Sequence, residues 1–418
     1  MTKASKQRYD LYLNTLETGL IKAAETVLLE SSGQLTKMGF RYTEAYREYP
    51  HAFALDPVQL PLTSNEVEFH CAGGMPGILD DYLPDAWGRK VLATLSFYRD
   101  QRKLDRHSAI DMLSQLSNSR IGALQWTKVG EEPDYAMGCD IQFIESAEIA
   151  AQSVDNPESL SDHIDEVSLL YLANAGTGVG GARPKALVYE NDTPYLAKFN
   201  RRSLDPYNNA KIELACLHMA REAGLHVCQA KIRSGINDRE VLLLERFDVV
   251  KNNNDYTRRH LITINSLLKN HETQRDRGGV FRYDDIADIV RMHSINIEED
   301  LTQLLRMMLF NRAINNTDDH ERNFSLIHDG EGYCMAPAYD IVPSLITGAY
   351  PVAGYQYSPT APKPSEVAIK GKVFGLPKTV VKLIADEVIN SVEQWQNWAQ
   401  QYDVSDEDIS SVYKVLHV

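Results

Sequence analysis

Eight consecutive residues, Asn316-Thr317-Asp318-Asp319-His320-Glu321-Arg322-Asn323, crowd carboxylates, a histidine and amides into one polar stretch, and Asp340 follows in Ala336-Pro337-Ala338-Tyr339-Asp340. Phosphoryl transfer needs a carboxylate to accept the proton of the attacking hydroxyl and oxygen ligands to hold Mg²⁺ against nucleotide phosphates. Asp318 fits the first role, Asn323 and Asp340 the second. The interval from Asp318 to Asn323 matches that between the base and the metal-binding amide of a kinase catalytic loop. Asn, Thr and Asp are also ordinary loop formers and helix caps, so the flanks must carry part of the argument.

A second feature is the glycine-rich run Gly176-Thr177-Gly178-Val179-Gly180-Gly181-Ala182-Arg183-Pro184-Lys185, which leads into the apolar stretch Ala186 to Tyr189. Glycines let backbone N–H groups converge on phosphate oxygens without a Cβ in the way. No Walker A ending closes the run, and Pro184 with the β-like residues after it does not open a helix, which excludes a dinucleotide fingerprint. Next, Tyr195-Leu196-Ala197-Lys198-Phe199 sets a lysine in a strand-like apolar segment, where an ammonium is costly unless an anion meets it. Phosphate oxygens and Glu213, on a helix expected from about 206 to 223, are the anions at hand. The run Val241 to Asp248 reads as a buried strand with a polar end, placing Glu245 and Phe247 where backbone groups can meet a purine.

These side chains need positioning elements. Apolar residues at Leu301, Leu304, Leu305, Met308 and Leu309 have helical spacing, so a packed helix delivers the polar loop. Phe324 to Ile327 then reads as a strand, and a turn over His328 to Gly332 returns the chain toward Asp340. Three blocks emerge: 1–152, opening with strands at 9–14, 20–29 and 35–42; 153–250, a nucleotide-binding part; and 251–418, a mainly helical lobe with the catalytic loop. Within the first block we expect helices near 80–98 and 108–116 and strands at 121–127 and 140–143; a linker over 153–161 and a helix over 162–175 follow. Near the C-terminus, Glu366 to Lys372 and a helical stretch from Pro377 to Gln401 complete an apolar lobe, with Trp395 and Trp398 read as core.

The 418 residues carry 43 basic and 58 acidic side chains, a net charge of −15 that disfavours direct binding to nucleic acid or an anionic membrane. Five cysteines without a C-x-x-C pair suit reduced thiols. No apolar run reaches the roughly 20 residues of a membrane span. The expectation is a soluble, cytoplasmic protein.

Taken in order, the loop ending Ala182-Arg183-Pro184-Lys185, the strand lysine Lys198, Glu245-Arg246-Phe247-Asp248, the Asn316 to Asn323 loop and Ala336-Pro337-Ala338-Tyr339-Asp340-Ile341-Val342-Pro343-Ser344 together resemble the HipA family of bacterial serine/threonine kinase toxins. Leu83-Pro84-Asp85-Ala86-Trp87-Gly88-Arg89 and Gly122-Ala123-Leu124 extend the resemblance into the N-terminal third. It implies an α+β, bilobal protein-kinase-like fold preceded by a small N-terminal β-rich subdomain, with ATP and Mg²⁺ as cofactors. It also implies a helix-turn-helix antitoxin partner that makes the contact with operator DNA. The acceptor would be a translation component such as an aminoacyl-tRNA synthetase. By resemblance, Asp318 is the base, Asn323 and Asp340 hold metal, and Lys198 supports phosphates with Glu213 as its ion-pair partner. Gly180, Gly181 and Lys185 form the phosphate loop, Glu245 and Phe247 the hinge, and His320 and Tyr339 flank the nucleotide.

One departure stands out. Several family members have an autophosphorylated serine seven residues before the loop lysine; here that position is Gly178, and Thr177 is the only hydroxyl from Gly176 to Lys185. Either the switch is lost or Thr177 has taken it over. Two rivals share parts of the pattern: a small-molecule phosphotransferase of antibiotic-kinase type, and a non-catalytic pseudokinase corepressor. The family motifs weigh against the first, and the retained Asp318, Asn323 and Asp340 against the second.

Overall fold

The computed structural model describes residues 4–116, 119–135, 138–155, 172, 183–200, 205–235, 240–252, 255–346 and 349–417. The N-terminal region opens with long antiparallel strands β1 (Ala4–Thr15), β2 (Gly19–Ser31) and β3 (Gln34–Tyr42), whose inward positions alternate with exposed ones as a half-buried sheet requires. The β1–β2 turn is closed by the Thr15 and Thr18 hydroxyls, 2.9 Å apart, with Gly19 at φ 60°. A short helix α1 (Glu44–Arg47) and strand β4 (Val67–His70) follow, then helices α2 (Gly77–Tyr82), α3 (Ala86–Asp100) and α4 (Ala109–Leu113). Strand β5 (Leu124–Lys128) returns beside β1, giving the order β4-β3-β2-β1-β5.

The segment expected to be a strand over 140–143 is β6 (Cys139–Asp140), which turns at once into a 3₁₀ helix over Ile141–Phe143, because the Asp140 carboxylate caps the Gln142 N–H at 2.9 Å. Helix α5 (Ile144–Asp155) runs past Ser153, so the expected linker starts too early; small, apolar Ala147, Ala150, Ala151 and Val154 bury one face and carry the helix on. The expected helix over 162–175 lies outside the described residues except for Leu172.

Strands β7 (Lys185–Glu190) and β8 (Thr193–Phe199) come next, then helix α6 (Asn209–Glu222), capped by Asn208, and strands β9 (Ala230–Ser234) and β10 (Glu240–Glu245). They form a five-stranded sheet, β6-β7-β8-β10-β9, whose edge strand β6 is parallel to β7 and comes from the N-terminal region. One apolar cluster joins both sheets: Leu11, Leu28, Met38, Trp87 and Leu92 pack in the same core as Ala186, Val188, Ala197, Phe199, Val241 and Leu243.

The hairpin β11 (Val249–Asn252) and β12 (Asp255–Arg258) leads to β13 (Leu261–Thr263) and helices α7 (Ile264–Leu267), α8 (Tyr283–His293) and α9 (Ile297–Ala313). Strands β14 (Ser325–His328) and β15 (Tyr333–Met335) complete a three-stranded sheet with β13. Helices α10 (Pro364–Lys370), α11 (Lys378–Val392), α12 (Trp395–Gln401) and α13 (Asp406–Tyr413) finish the lobe around a second core, in which Leu304, Met308, Phe324, Val388 and Trp395 meet the inner face of α6. Trp395 is fully buried; Trp398 sits at the margin, its ring stacked on His218 and Tyr402. Among the described residues no helix is long and apolar enough to cross a membrane, and all five cysteines are free thiols.

Candidate active site

The buried helix α9 ends at Ala313 and releases the polar loop as expected. Asn315, at φ 58°, makes the turn out of the helix. Asn316 then organises the loop from within: its Oδ1 accepts the Asp318 N–H at 3.1 Å, and its Nδ2 donates to Asn311 Oδ1 at 3.1 Å and to the Asp340 carbonyl at 3.2 Å. One side chain thereby ties the backbone of the candidate base to that of the candidate metal ligand.

The two adjacent aspartates have opposite surroundings. The Asp318 side chain is 76% exposed, with His320 Nε2 3.6 Å from its Oδ1. Asp319 is buried; its Oδ1 accepts the Val352 and Ala353 N–H groups at 2.8 and 3.1 Å, and its Oδ2 accepts the Tyr283 hydroxyl at 3.0 Å. Burial pushes the Asp319 carboxyl above the usual carboxylate range even against these donors. Asp319 therefore builds the loop, and Asp318 is the one of the two whose carboxylate faces solvent.

A turn of 3₁₀ helix over Glu321–Asn323 follows, started by His320, whose Nδ1 accepts the Arg322 N–H at 3.2 Å. The Asn323 amide nitrogen donates to the Asp318 carbonyl at 2.7 Å, leaving Oδ1 as the amide atom suited to a cation.

Lys198, on β8, donates to Glu213 Oε1 at 2.6 Å and also bonds the Asp340 carboxylate. Burial works against the ammonium, but Asp340 and Glu213 outweigh it and hold Lys198 above its ordinary pKa. Burial raises Glu213, while Asp340 is held down at about 2, burial being overcome chiefly by Lys198 and then Lys185. Asp340 itself is in the left-handed region at φ 55°, a conformation that costs an Asp little beside Asn316. Lys185 is buried at the start of β7; desolvation pushes its ammonium below the lysine range against the pull of Asp340 and Asp85. Asp85, from the N-terminal region, caps α3 through Oδ1, which accepts the Gly88 N–H at 2.7 Å, and its buried Oδ2 has no hydrogen bond among the described residues.

At the far end, Phe247 and Tyr339 stack with ring centroids 6.3 Å apart. The Tyr339 hydroxyl lies 2.6 Å from Ser325 Oγ and donates to the Arg322 carbonyl at 3.1 Å. Glu245 ends β10 exposed, and its N–H donates to the Gln229 carbonyl at 2.8 Å. Arg246 and Asp248 are structural: they pair at 2.7 Å, Asp248 accepts the Gly122 N–H at 2.8 Å, and Arg246 donates to the Arg120 carbonyl at 2.7 Å. The Glu245 to Asp248 and Gly122 to Leu124 motifs are thus two halves of one joint.

Gly180, Gly181 and Thr177 lie outside the described residues. Sequence reasoning gave no role to Asn316, Asp85 or Arg322, although all three fall inside motifs it singled out. Among the described residues no cluster of three or more His, Cys, Asp or Glu side chains is arranged to hold a metal ion. An amide and one carboxylate, Asn323 and Asp340, are still a fitting donor set for a hard cation that takes its remaining ligands from phosphate and water.

A five-stranded sheet, a lysine bridged to a helix glutamate, and a second, helical lobe presenting a loop carboxylate define a bilobal protein-kinase-like fold with an added N-terminal β-rich region. The profile of the HipA-like C-terminal domain matches residues 177–396, more than half of the chain, and that of the HipA N-terminal domain matches residues 23–127. The chain belongs to the HipA family. A protein of Sinorhizobium fredii named "Putative kinase Y4mE" is 32% identical over 141 residues, a match spanning 33% of each protein. The Shewanella oneidensis HipA, solved with HipB and operator DNA, superposes with a TM-score of 0.64 over 97% of this chain and 94% of its own, at 14% identity.

Proposed function

We propose that this protein is an ATP- and Mg²⁺-dependent serine/threonine kinase that acts as the toxin of a bacterial toxin–antitoxin module. The observation that carries this reading is the junction at Lys198, where a strand lysine, the helix glutamate Glu213 and the loop aspartate Asp340 meet beside an exposed Asp318.

In this reading Lys198, freed from Asp340 by an incoming nucleotide, holds phosphate oxygens with Lys185 and the Gly180-Gly181 loop, while Glu213 keeps the ammonium in place. Phe247, Tyr339 and the Glu245 carbonyl border the base, with His320 beside the nucleotide. Asp318 accepts the proton of the acceptor hydroxyl, and Asn316 fixes its distance from Asp340. Asn323 and Asp340 would hold Mg²⁺, which supplies charge neutralisation along the phosphates. The acceptor is a translation component such as an aminoacyl-tRNA synthetase, and a helix-turn-helix antitoxin restrains the kinase and makes the operator DNA contact, in keeping with the partners of the Shewanella HipA.

The test is incubation with labelled ATP, Mg²⁺ and host lysate, followed by phosphosite mapping, for the wild type and Asp318→Asn. The substitution keeps shape and nucleotide binding but removes the proton acceptor, so transfer should fall by roughly 10²–10⁴-fold. Its expression should not arrest growth where the wild type does. Turnover within about tenfold of wild type would remove Asp318 from the mechanism.

A further inference from the structure

Arg322 lies in the catalytic loop, yet its guanidinium is turned toward the N-terminal region. Nη2 is 3.0 Å from Asp80 Oδ2 and 3.2 Å from Asp276 Oδ2. Lys269 completes a quartet of two cations and two carboxylates, with Nζ 2.7 Å from Asp80 and 2.5 Å from Asp276. Turned with its oxygen toward Arg322, the Asn265 amide would accept from both Nη atoms at 3.1 and 3.3 Å and donate to Asp276 at 3.2 Å. Three members belong to the C-terminal lobe. Asp80 alone comes from α2.

Helix α2 packs closely on this seat. A Cβ on Gly77 would meet Ser266 Cβ at 2.7 Å, and one on Gly74 would meet the Gln274 carbonyl carbon at 2.0 Å. Asp81 accepts both the N–H and the hydroxyl of Thr263 at 2.7 Å, Ser266 Oγ donates to the Gly77 carbonyl at 3.0 Å, and the Met75 N–H donates to the Gln274 carbonyl at 2.7 Å. Asp80 is therefore a fixed charge. The Arg322–Asp276 pair is half exposed and contributes little alone, whereas Asp80 at 17% and Lys269 at 3% side-chain exposure place the grip on the shielded side. Beyond Arg322 the path into the site is short: the next residue is Asn323, and the Arg322 carbonyl receives the hydroxyl of Tyr339, which precedes Asp340.

We propose that the N-terminal region is a positioning element of the transfer site, with Asp80 and Asp276 holding Arg322 so that Arg322 fixes the turn carrying Asn323 and the backing of Tyr339-Asp340. Arg322 acts through its neighbours and touches neither nucleotide nor acceptor. The proposal rests on the kinase reading for the role of Asn323 and Asp340, but the hold on the loop is measurable without it.

The experiment uses the full chain as wild type, Asp80→Asn, Arg322→Gln, Arg322→Lys and the double variant Asp80→Asn/Arg322→Gln. Amide hydrogen exchange over residues 318–324 is followed without nucleotide, and the Mg²⁺ concentration giving half-maximal ATP binding is titrated. Asp80→Asn and Arg322→Gln should each speed loop exchange and raise the Mg²⁺ midpoint by about tenfold, Arg322→Lys should stay near wild type, and the double variant should match Arg322→Gln, since residues acting as one unit are not additive. Unchanged loop exchange in both single variants, or additive losses in the double, overturns the proposal. Should Arg322→Gln fail to fold, Asp276→Asn at the exposed rim takes its place with the same expected direction. A wild type that binds no ATP while the variants still loosen the loop would sink the kinase reading and leave the positioning role standing.

Discussion

Replacing Lys198 with methionine should change Mg²⁺ and ATP binding in opposite directions. Without nucleotide, Lys198 bonds the Asp340 carboxylate, so a cation approaching Asp340 meets an ammonium already there. The depression of Asp340 from 3.8 to about 2 measures how strongly its charged form is held, with Lys198 the largest lowering influence against burial. That difference corresponds to on the order of 2 kcal/mol. Because the Asp340 side chain is 34% exposed, solvent screening trims it to about 1–2 kcal/mol. Lys198→Met should therefore tighten Mg²⁺ binding in the absence of nucleotide by about 5- to 30-fold. ATP affinity should fall, since the phosphates lose a cation, and phosphoryl transfer should fall further. Titration calorimetry with MgCl₂ alone, and then with ATP at fixed Mg²⁺, reads both quantities on one sample. Weaker Mg²⁺ binding in the variant would show that Lys198 does not compete for Asp340, and the reasoning would fail.

Three further outcomes follow from the structure. Asn316→Ala should lower turnover by about 10²-fold while destabilising the fold by only about 1–3 kcal/mol, because it cuts the tie between the Asp318 and Asp340 backbones; urea melts and turnover losing ground in proportion would contradict this. Burial holds His260 at about 4, with Nε2 2.7 Å from the Leu55 carbonyl and Nδ1 without a partner among the described residues, so only the unfolded chain takes up the proton between pH 6.5 and 4. Stability should drop by about 2–3 kcal/mol from pH 7.5 to 4.5 through this group, and His260→Gln, which keeps a donor for Leu55, should melt with a correspondingly flatter pH dependence; parallel curves would dismiss it. Mass spectrometry after ATP incubation should find phosphate on Thr177 if it replaces the missing loop serine, and Thr177→Val should then remain active for longer; an unmodified Thr177 under conditions that label an acceptor rules the switch out.

Local pattern made much of this legible. The strand alternation in the first third, the apolar face of α9 and the polar loop behind it are sequence-near properties, and they placed Asp318, Asn323 and Asp340 on the right elements. The linker expected over 153–161 begins too early, since Ser153 still belongs to a helix whose other face is buried. What sequence could not show is long-range: Lys198 and Asp340 are 142 residues apart, and Asp80 and Arg322 are 242 apart. The interval to Asn323 singles out Asp318 in the sequence, and the burial of Asp319 against Val352, Ala353 and Tyr283 supplies the physical reason its neighbour serves the loop instead.

The core shared by the two N-terminal sheets carries a consequence for synthesis. Residues through Asp155 can leave the ribosome with β1 to β5 paired, but the core that holds Leu11, Leu28 and Trp87 lacks its members Val241 and Leu243 until about 90 more residues follow, which at 5–20 residues per second is roughly 5–20 s. For that interval the nascent chain displays an apolar face. Slowing elongation before Glu240 should lengthen its dependence on chaperones, whereas slowing elongation after the β10 strand has emerged should not.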